Sequence, residues 1–221
     1  MKSLFIVILF LVGCSTNSVE KSVPQFDHNR AFQHLVDQCE FGPRNPGSIG
    51  HTEFSNYLEE YLNVLSSELI IQEFSYLEHL TNIDRDGKNF IARFNVESKE
   101  RLLIGAHWDT RSFSDEDPDK EKHSIPVLGA NDGASGTAIL MELATIFSKN
   151  KPIEKPKSAI IVDMVGDKYL KLPIERFSYQ TSPEMVKEIW NLADELGLSA
   201  FEYRIGYEIY EISTDDIKGF Y

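Results

Sequence analysis

Residues 102–109, Leu-Leu-Ile-Gly-Ala-His-Trp-Asp, decide the fold class, because an apolar run leads there directly into polar residues. Residues 102–106 form a short continuous apolar run, which is typical of a strand buried on both faces of a sheet. Residues 159–162, Ala-Ile-Ile-Val, form a second run of the same kind. A helical apolar pattern over residues 134–148 separates the two runs. Strands that alternate with helices predict a three-layer α/β fold, in which helices flank a mostly parallel, twisted sheet.

The rest of the chain supplies further elements of the same two kinds. The spacing of apolar residues predicts helices over residues 29–39, 51–65 and 182–196, the last of them stopping at Gly197. Strands are predicted over residues 69–74 and 89–96, separated by a polar turn at residues 84–87. The aromatic residues 200–221 fit neither pattern clearly.

Length and charge limit the class of protein. A chain of 221 residues, with 42% hydrophobic and 26% charged residues, suits one soluble α/β domain. The formal net charge of −13 argues against a nucleic-acid partner, since phosphate binding needs a basic face. No apolar run in the sequence reaches the roughly 20 residues that a membrane-spanning helix requires.

The first residues predict export and a lipid anchor. The apolar residues 4–12 form a short signal segment that ends in Leu11-Val12-Gly13-Cys14. That tetrapeptide resembles the lipobox of bacterial lipoproteins, in which the cysteine is acylated and becomes the new N-terminus. We therefore expect a signal peptide over residues 1–13, a lipidated Cys14, a polar tether over residues 14–26 and a domain over residues 27–221. The alternative is an ordinary secretory signal with a chance cysteine.

A lipidated Cys14 would hold the protein at a membrane of the bacterial cell envelope, because acyl chains bury their methylenes in the bilayer. By resemblance, Ser15 favours the periplasmic face of an outer membrane where the cell has one. Cys39 then has no partner, so no disulfide is expected. It lies on an apolar helical pattern, which is typical of a small core residue.

One histidine and two aspartates follow predicted strands or precede a predicted helix. His107 follows residues 102–106, Asp163 ends the next strand, and Asp132 lies in a glycine-rich segment just before a helix. Ligands of open α/β sheets collect outside the carboxyl ends of the strands, so these side chains are expected to meet there. Imidazole nitrogen and carboxylate oxygen are donors that suit zinc. The alternatives are a hydrogen-bonded surface pair at His-x-Asp and an ordinary turn at Asn-Asp-Gly.

Five segments in this order resemble bacterial members of the zinc-dependent aminopeptidase and glutaminyl cyclase superfamily. The segments are residues 41–48 (Phe-Gly-Pro-Arg-Asn-Pro-Gly-Ser), 107–111, the acidic loop 115–122, 129–136 (Gly-Ala-Asn-Asp-Gly-Ala-Ser-Gly) and 163–168 (Asp-Met-Val-Gly-Asp-Lys). The resemblance extends from about Phe32 to Asp216. Its first segment leans toward the cyclases.

The resemblance implies roles for individual residues. His107, Asp132 and Asp163 would be zinc ligands, with Asp132 able to bridge two ions. Asp109 would orient His107. Three more residues are assigned less directly: Asp215 and Asp216 resemble the acids that precede a late ligand histidine, and Trp108 either walls a substrate pocket or packs in the core. The acidic loop 115–122 is either solvated or an extra cation site.

Two parts of the family pattern have no counterpart in this sequence. The family has a strand that ends in paired acids, of which the first is the general acid/base and the second a metal ligand. Here residues 148–156 lead directly to the strand before Asp163, and neither Glu142 nor Glu154 matches the paired acids. Ile217 stands where the family has its late histidine. The resemblance therefore implies an incomplete fold, an internal deletion, a shortened C-terminus and weakened zinc binding.

Three functions remain open at this point. The first is a glutaminyl cyclase-like acyltransferase that forms N-terminal pyroglutamate on peptides, impaired by the missing acids. The second is a zinc aminopeptidase that releases N-terminal residues. The third is a lipoprotein that binds a peptide without catalysis. In two-metal members of the superfamily, the histidine and aspartates present here serve one ion, whereas cyclases use the other ion site.

Overall fold

The computed structural model describes residues 23–79, 81–150 and 158–206. The predicted signal peptide, Cys14, most of the tether, Glu154, Asp215 and Asp216 lie outside these residues. The helices are α1 His28–Glu40, α2 Ile49–Leu65, α3 Ala134–Lys149, α4 Arg176–Thr181 and α5 Pro183–Glu195. The strands are β1 Glu68–Glu78, β2 Ile83–Arg93, β3 Leu102–Gly105, β4 Ser158–Ile161, β5 Leu172–Ile174 and β6 Phe201–Ile205.

The α/β class is confirmed, and the described strands form three separate pairs. β3 pairs with β4 in parallel, β5 pairs with β6 in parallel, and β1 and β2 form an antiparallel hairpin. The long predicted helices appear within two residues of their expected limits. The short elements β5 and α4 were not predicted, because three and six residues carry too little periodicity to detect.

The predicted turn at residues 84–87 is wrong, since these residues lie inside β2. The hairpin turns earlier, where the backbone N–H groups of Thr81 and Asn82 donate to the carbonyl of Glu78. Asn82 adopts a φ of 55°, a conformation that asparagine tolerates better than most residues. Gly87 pairs with Phe74, whose ring covers the space where a side chain would stand. Gly87, which favours a turn when the sequence is considered alone, is therefore a strand residue packed under a cross-strand aromatic ring.

The prediction that β3 and β4 are buried on both faces is wrong for several of their side chains. Leu102 and Leu103 are exposed, and Ile161 is 54% exposed. Among the described residues these two strands pair only with each other, and α3 is the helix that packs against β3. The apolar composition predicted both strands correctly, but it could not show whether neighbouring elements cover their faces.

The main core lies where α2 packs against α3 and β2. Phe54 and Met141 are fully buried, and Leu58 is nearly so. Burying aromatic and aliphatic side chains of this size is the main stabilising contribution in a domain. The partly buried residues around them are Phe41, Tyr57, Tyr61, Leu62, Phe90 and Trp108. Trp108 also donates its indole N–H to the carbonyl of Lys88 at 3.0 Å.

An ion pair with a buried carboxylate joins α1 to α3. Glu142 has no exposed side-chain surface, and its carboxylate accepts hydrogen bonds from Arg30 at 2.5 and 2.7 Å. The backbone N–H of Asp27 donates to the same carboxylate at 3.1 Å. Gln38 reinforces the contact by donating to the carbonyl of Ala134 at 3.1 Å. This acid in the middle of α3 therefore fixes the first helix to the helix that starts beside Asp132.

Gly136 sets how closely the start of α3 approaches the ends of the parallel strands. A Cβ atom there would clash with the carbonyl oxygen of Val162 and would lie 3.0 Å from Cβ of Ala106. Gly136→Ala is therefore expected to lower the free energy of unfolding by about 1–3 kcal/mol through overpacking. Urea denaturation measures the loss. Unchanged stability of Gly136→Ala would contradict the packing described here.

No helix within residues 23–79, 81–150 and 158–206 has the length and apolar character that crossing a membrane requires.

Candidate metal centre

Three side chains from three separate segments converge at one end of the β3–β4 pair. His107 follows β3, Asp163 follows β4, and Asp132 lies two residues before the start of α3. The Nε2 atom of His107 lies 3.0 Å from Oδ1 of Asp132 and 3.3 Å from Oδ1 of Asp163. One ligand atom from each residue lies within 4.8 Å of the others. The structure therefore brings together the three residues that were predicted to meet at the carboxyl ends of the strands.

Two neighbours fix the orientation of His107. Its Nδ1 atom lies 3.3 Å from Oδ1 of Asp109, which leaves Nε2 directed at the two aspartates. The hydroxyl of Thr137 in α3 donates to the backbone carbonyl of His107 at 2.8 Å. A carboxylate on the far nitrogen of a ligand histidine sets the ring orientation and its tautomer. The geometry therefore suits Asp109 to the orienting role that the resemblance implied.

The turn that carries Asp132 depends on glycine. Gly133 adopts a φ of 97°, and a Cβ atom there would lie 2.5 Å from the carbonyl oxygen of Asp109. A side chain at this position would be strained by the backbone conformation and would also collide with the loop after β3. Asp132 thus lies beside the N-terminus of α3, where the helix dipole favours a carboxylate.

Asn131 and Ser135 attach the Asp163 loop to the Asp132 turn. The backbone N–H of Gly166 donates to Oδ1 of Asn131 at 2.7 Å. The N–H of Val165 donates to the hydroxyl of Ser135 at 3.0 Å, and that hydroxyl donates to the carbonyl of Asn131 at 2.6 Å. Sequence reasoning assigned no role to either side chain. Their position in the glycine-rich segment 129–136 was the available signal.

The three donors form a site that favours a positive charge, and here a proton on His107 supplies that charge. Burial alone would lower the pKa of His107, but hydrogen bonds to Asp109, Asp132 and Asp163 outweigh it and raise that pKa to about 12. The hydrogen bond from His107 in turn lowers the pKa of Asp132. The three side chains remain between 38% and 48% exposed, so a solvated ion could reach them.

The donor set fits zinc. Catalytic zinc sites use three protein ligands drawn from histidine nitrogen and carboxylate oxygen, and they leave a position open. His107, Asp132 and Asp163 supply that number and those atom types. The structure offers no further histidine, cysteine or carboxylate to the group within residues 23–79, 81–150 and 158–206.

Metal binding is expected to strengthen as the pH rises. An ion needs the neutral imidazole of His107, so binding must displace the proton that the three carboxylates hold there. Since the pKa of this ring lies far above neutrality, the apparent affinity for Zn²⁺ or Co²⁺ should rise about tenfold per pH unit near neutral pH. Calorimetric titration in buffers of different ionisation enthalpy should show one proton released per ion. An affinity independent of pH would contradict a charged His107.

A cavity of about 200 Å³ opens beside His107, Asp109 and Asp132. Its lining also includes Tyr76 and Glu78 at the end of β1. Burial and the nearby charges of Asp109 and Glu78 raise the pKa of Tyr76 to about 12, so its phenol stays protonated at neutral pH. The place of β1 beside the site could not be predicted from the sequence, because it depends on contacts between residues far apart in the chain.

Three hydrogen bonds hold the carboxylate of Glu78 in this cavity. It accepts hydrogen bonds from Ser112 at 2.6 Å, from Thr81 at 2.5 Å and from Arg85 at 3.0 Å. Burial favours the neutral acid, but these three donors together lower the pKa of Glu78. Glu78 is therefore held as an ionised structural group and is poorly suited to accept a substrate proton.

The remaining predicted groups lie apart from the three donors. In the acidic loop 115–122, Asp115 pairs with Arg111 at 3.0 Å and Asp119 pairs with Lys122 at 3.6 Å. Cys39 is partly buried, and burial raises the pKa of its thiol, which disfavours a reactive thiolate. Glu142 is paired with Arg30 as described above.

Comparisons with known proteins place this arrangement among related folds. The sequence profile of Peptidase family M28 matches residues 89–162. A glutaminyl-peptide cyclotransferase-like protein of Bos taurus is 26% identical over 157 residues, which are 69% of this chain and 39% of that protein. The chain therefore spans well under half the length of this curated relative.

Two solved structures have a similar fold over most of their length. Glutaminyl cyclase of Bacteroides thetaiotaomicron, bound to N-acetylhistamine, superposes with a TM-score of 0.79 at 27% identity. A Zn-dependent exopeptidase from Parabacteroides distasonis superposes with the same TM-score and identity. Each match covers 84% of this chain and 78% of the other chain.

Proposed function

Because the chain belongs to the superfamily of zinc exopeptidases and glutaminyl cyclases, we propose that it binds a zinc ion and the N-terminal segment of a peptide, with glutaminyl cyclase-like acyl transfer as its reaction. The observation that carries this proposal is the convergence of His107, Asp132 and Asp163 within 4.8 Å, beside an open cavity. The resemblance to cyclases supports the choice of a peptide whose first residue is glutamine.

Each residue has a defined part in the proposal. His107, Asp132 and Asp163 would hold the ion, and Asp109 would keep the imidazole of His107 in a ligating orientation. When bound, zinc supplies a Lewis acid that polarises the carbonyl of the substrate. The lining of the cavity contains three acidic residues, Asp109, Asp132 and Glu78, against one arginine, Arg111. This balance favours the positively charged N-terminus of a peptide.

Turnover is expected to be slow for two reasons. The donors present correspond to the ion site that the cyclases do not use, and the cavity lacks a side chain suited to proton transfer. Proton transfer by a positioned side chain contributes about 10²–10⁴-fold to such reactions. In the described part of the chain, the glutamate that lines the cavity is Glu78. Its carboxylate already accepts hydrogen bonds from Ser112, Thr81 and Arg85. Glu142 is buried against Arg30. The site therefore has the means to bind and polarise a substrate, and it has little means to move a proton.

The test is a product assay on the zinc-loaded full chain with a peptide that begins with glutamine. Mass spectrometry should detect slow loss of ammonia from the peptide, and His107→Ala should remove that product. The same peptide incubated with Zn²⁺ but without the protein is the control for spontaneous cyclisation. If wild type and His107→Ala give the same rate, the proposed reaction is wrong.

A zinc aminopeptidase is the second candidate, favoured by the match of the M28 profile to residues 89–162, which include His107 and Asp132. The same zinc-loaded protein would then release the first residue from leucine or alanine peptides. If neither product forms while a fluorescent peptide still binds with zinc present, the chain is a peptide-binding protein without catalysis.

We also propose that the protein is anchored in the bacterial cell envelope through a lipid on Cys14. The support is the apolar segment 4–12 followed by Leu11-Val12-Gly13-Cys14. Wild-type protein should appear in the membrane fraction with an acylated N-terminal cysteine by mass spectrometry, and Cys14→Ser should not carry the lipid. Recovery of unmodified wild-type protein in the soluble fraction would contradict the anchor.

A further inference from the structure

Arg44 in the segment Phe-Gly-Pro-Arg is a fully buried cation. It has no part in the proposed reaction and is not one of the metal donors. Its relative exposure is 0%. Its guanidinium donates to five backbone carbonyls, those of Gln38 (3.0 Å), Gly42 (3.3 Å), Trp108 (3.1 Å), Leu128 (3.2 Å) and Gly129 (2.9 Å). All five acceptors are neutral, and they come from three distant parts of the chain.

Two of these acceptors lie in segments that carry metal donors. Trp108 lies between His107 and the orienting Asp109, and Gly129 lies three residues before Asp132. A single planar group therefore joins the loop after β3 to the turn before α3. Its third attachment, through the carbonyls of Gln38 and Gly42, fixes both to the end of α1.

The backbone of Arg44 strengthens the same junction. Its N–H donates to the hydroxyl of Thr110 at 3.0 Å, and the N–H of Thr110 returns a bond to the carbonyl of Arg44 at 3.4 Å. Thr110 is only 4% exposed. A Cβ atom on Gly129 would clash with the methyl group of Thr110, so the two loops touch with no space between them.

Burying this guanidinium has a cost that packing alone does not require. Burial lowers the pKa of Arg44, which means that the environment disfavours its charge. Such a charge is tolerated only when every donor finds an acceptor, and an apolar residue of similar volume often stabilises a core as well or better. What arginine adds is fixed geometry, because its planar fork holds several acceptors at defined angles.

We propose that Arg44 is a positioning residue of the metal centre, which fixes the loop of His107 and Asp109 against the turn of Asp132. The inference rests on the proposed zinc site and adds the residue that sets the distance between its donors. Without the guanidinium, five buried carbonyls lose their donor and the two loops lose their common attachment. The metal donors would then sample many separations.

The test compares the full-length variants Arg44→Met and Arg44→Lys with wild type. Arg101→Met is the matched control, because Arg101 also donates to backbone carbonyls, those of Asn95 and Val96. Hydrogen–deuterium exchange of the metal-free proteins should show the amides of Thr110 and Ala134 exchanging at least about tenfold faster in Arg44→Met. Co²⁺ titration should show affinity about 10–100-fold weaker, with an altered absorption spectrum. Arg44→Lys keeps the charge but cannot reach both loops, so its affinity should also fall about tenfold.

The outcomes separate positioning from simple stabilisation. If Arg44→Met melts at a lower temperature but binds Co²⁺ with wild-type affinity and spectrum, the positioning role is wrong. If wild type itself binds no Co²⁺, the proposed metal function fails, and the exchange rates of Thr110 and Ala134 still decide whether Arg44 orders the two loops. Should Arg44→Met not fold, Thr110→Val decides, because it removes one bond of the same junction. Unchanged exchange and affinity in that variant would overturn the proposal.

Discussion

Replacing Arg30 with methionine is expected to lower the free energy of unfolding by about 3–5 kcal/mol. The carboxylate of Glu142 has no exposed surface, and Arg30 supplies two of the hydrogen bonds that compensate its charge. Methionine would leave a buried anion with the backbone N–H of Asp27 as its described donor. An uncompensated buried charge costs far more than the net contribution of an intact pair.

Urea denaturation of the full chain measures this loss, and a double mutant shows its origin. Arg30→Met combined with Glu142→Leu should recover most of the stability, because both charges are then gone. Arg204→Met is a suitable control, since Arg204 is exposed and its pairing with Glu202 should contribute less than about 1 kcal/mol. If the double mutant is no more stable than Arg30→Met, the loss does not come from the unpaired Glu142.

Replacing His107 with alanine is expected to weaken Zn²⁺ or Co²⁺ binding by at least about 100-fold. Zinc held by four protein ligands gains roughly 10–16 kcal/mol, so one ligand of three should contribute about 3 kcal/mol or more. His107 supplies the nitrogen donor of the group, and its ring lies within 3.3 Å of both aspartates. Its removal also leaves Asp132 and Asp163 to repel each other.

Competition with a chromophoric chelator measures these affinities. His123→Ala is the matched control, because His123 lies in the acidic loop region and contacts the carbonyl of Asp117 instead of the three donors. Asp109→Asn should have a smaller effect than His107→Ala, about 10–100-fold, since Asp109 acts through the ring of His107. Equal affinities for His107→Ala and His123→Ala would show that the ion binds elsewhere.

The fold could be predicted from the sequence wherever local periodicity decides it. Helices α2, α3 and α5 follow from apolar spacing, and the Ser182-Pro183-Glu184 start is a local signal. Features that depend on residues far away in the sequence could not be predicted in this way. The ring of Phe74 keeps Gly87 in a strand, and the exposure of Ile161 depends on which strands lie beside β4. Neither can be read from a window of neighbouring residues.

The metal donors could be predicted because chain direction alone places them. Parallel strands deliver the residues after their carboxyl ends to one edge, so His107 and Asp163 had to meet there. The supporting residues could not be predicted in the same way. Asn131, Ser135 and Arg44 act through hydrogen bonds to backbone groups far away in sequence. All three lie in segments that the sequence singled out, residues 41–48 and 129–136, but the local pattern does not show which distant backbone groups they bind.

The most direct test of the metal centre is the stoichiometry of Co²⁺ binding to the full chain, followed by absorption spectroscopy. We predict one ion per chain, lost in Asp132→Asn and retained in Asp119→Asn, whose carboxylate belongs to the acidic loop. Asn keeps the size of the side chain and removes the charge, so folding should be preserved in both variants. Absence of binding to wild type, or binding that survives Asp132→Asn, would contradict a cation site built on His107, Asp132 and Asp163.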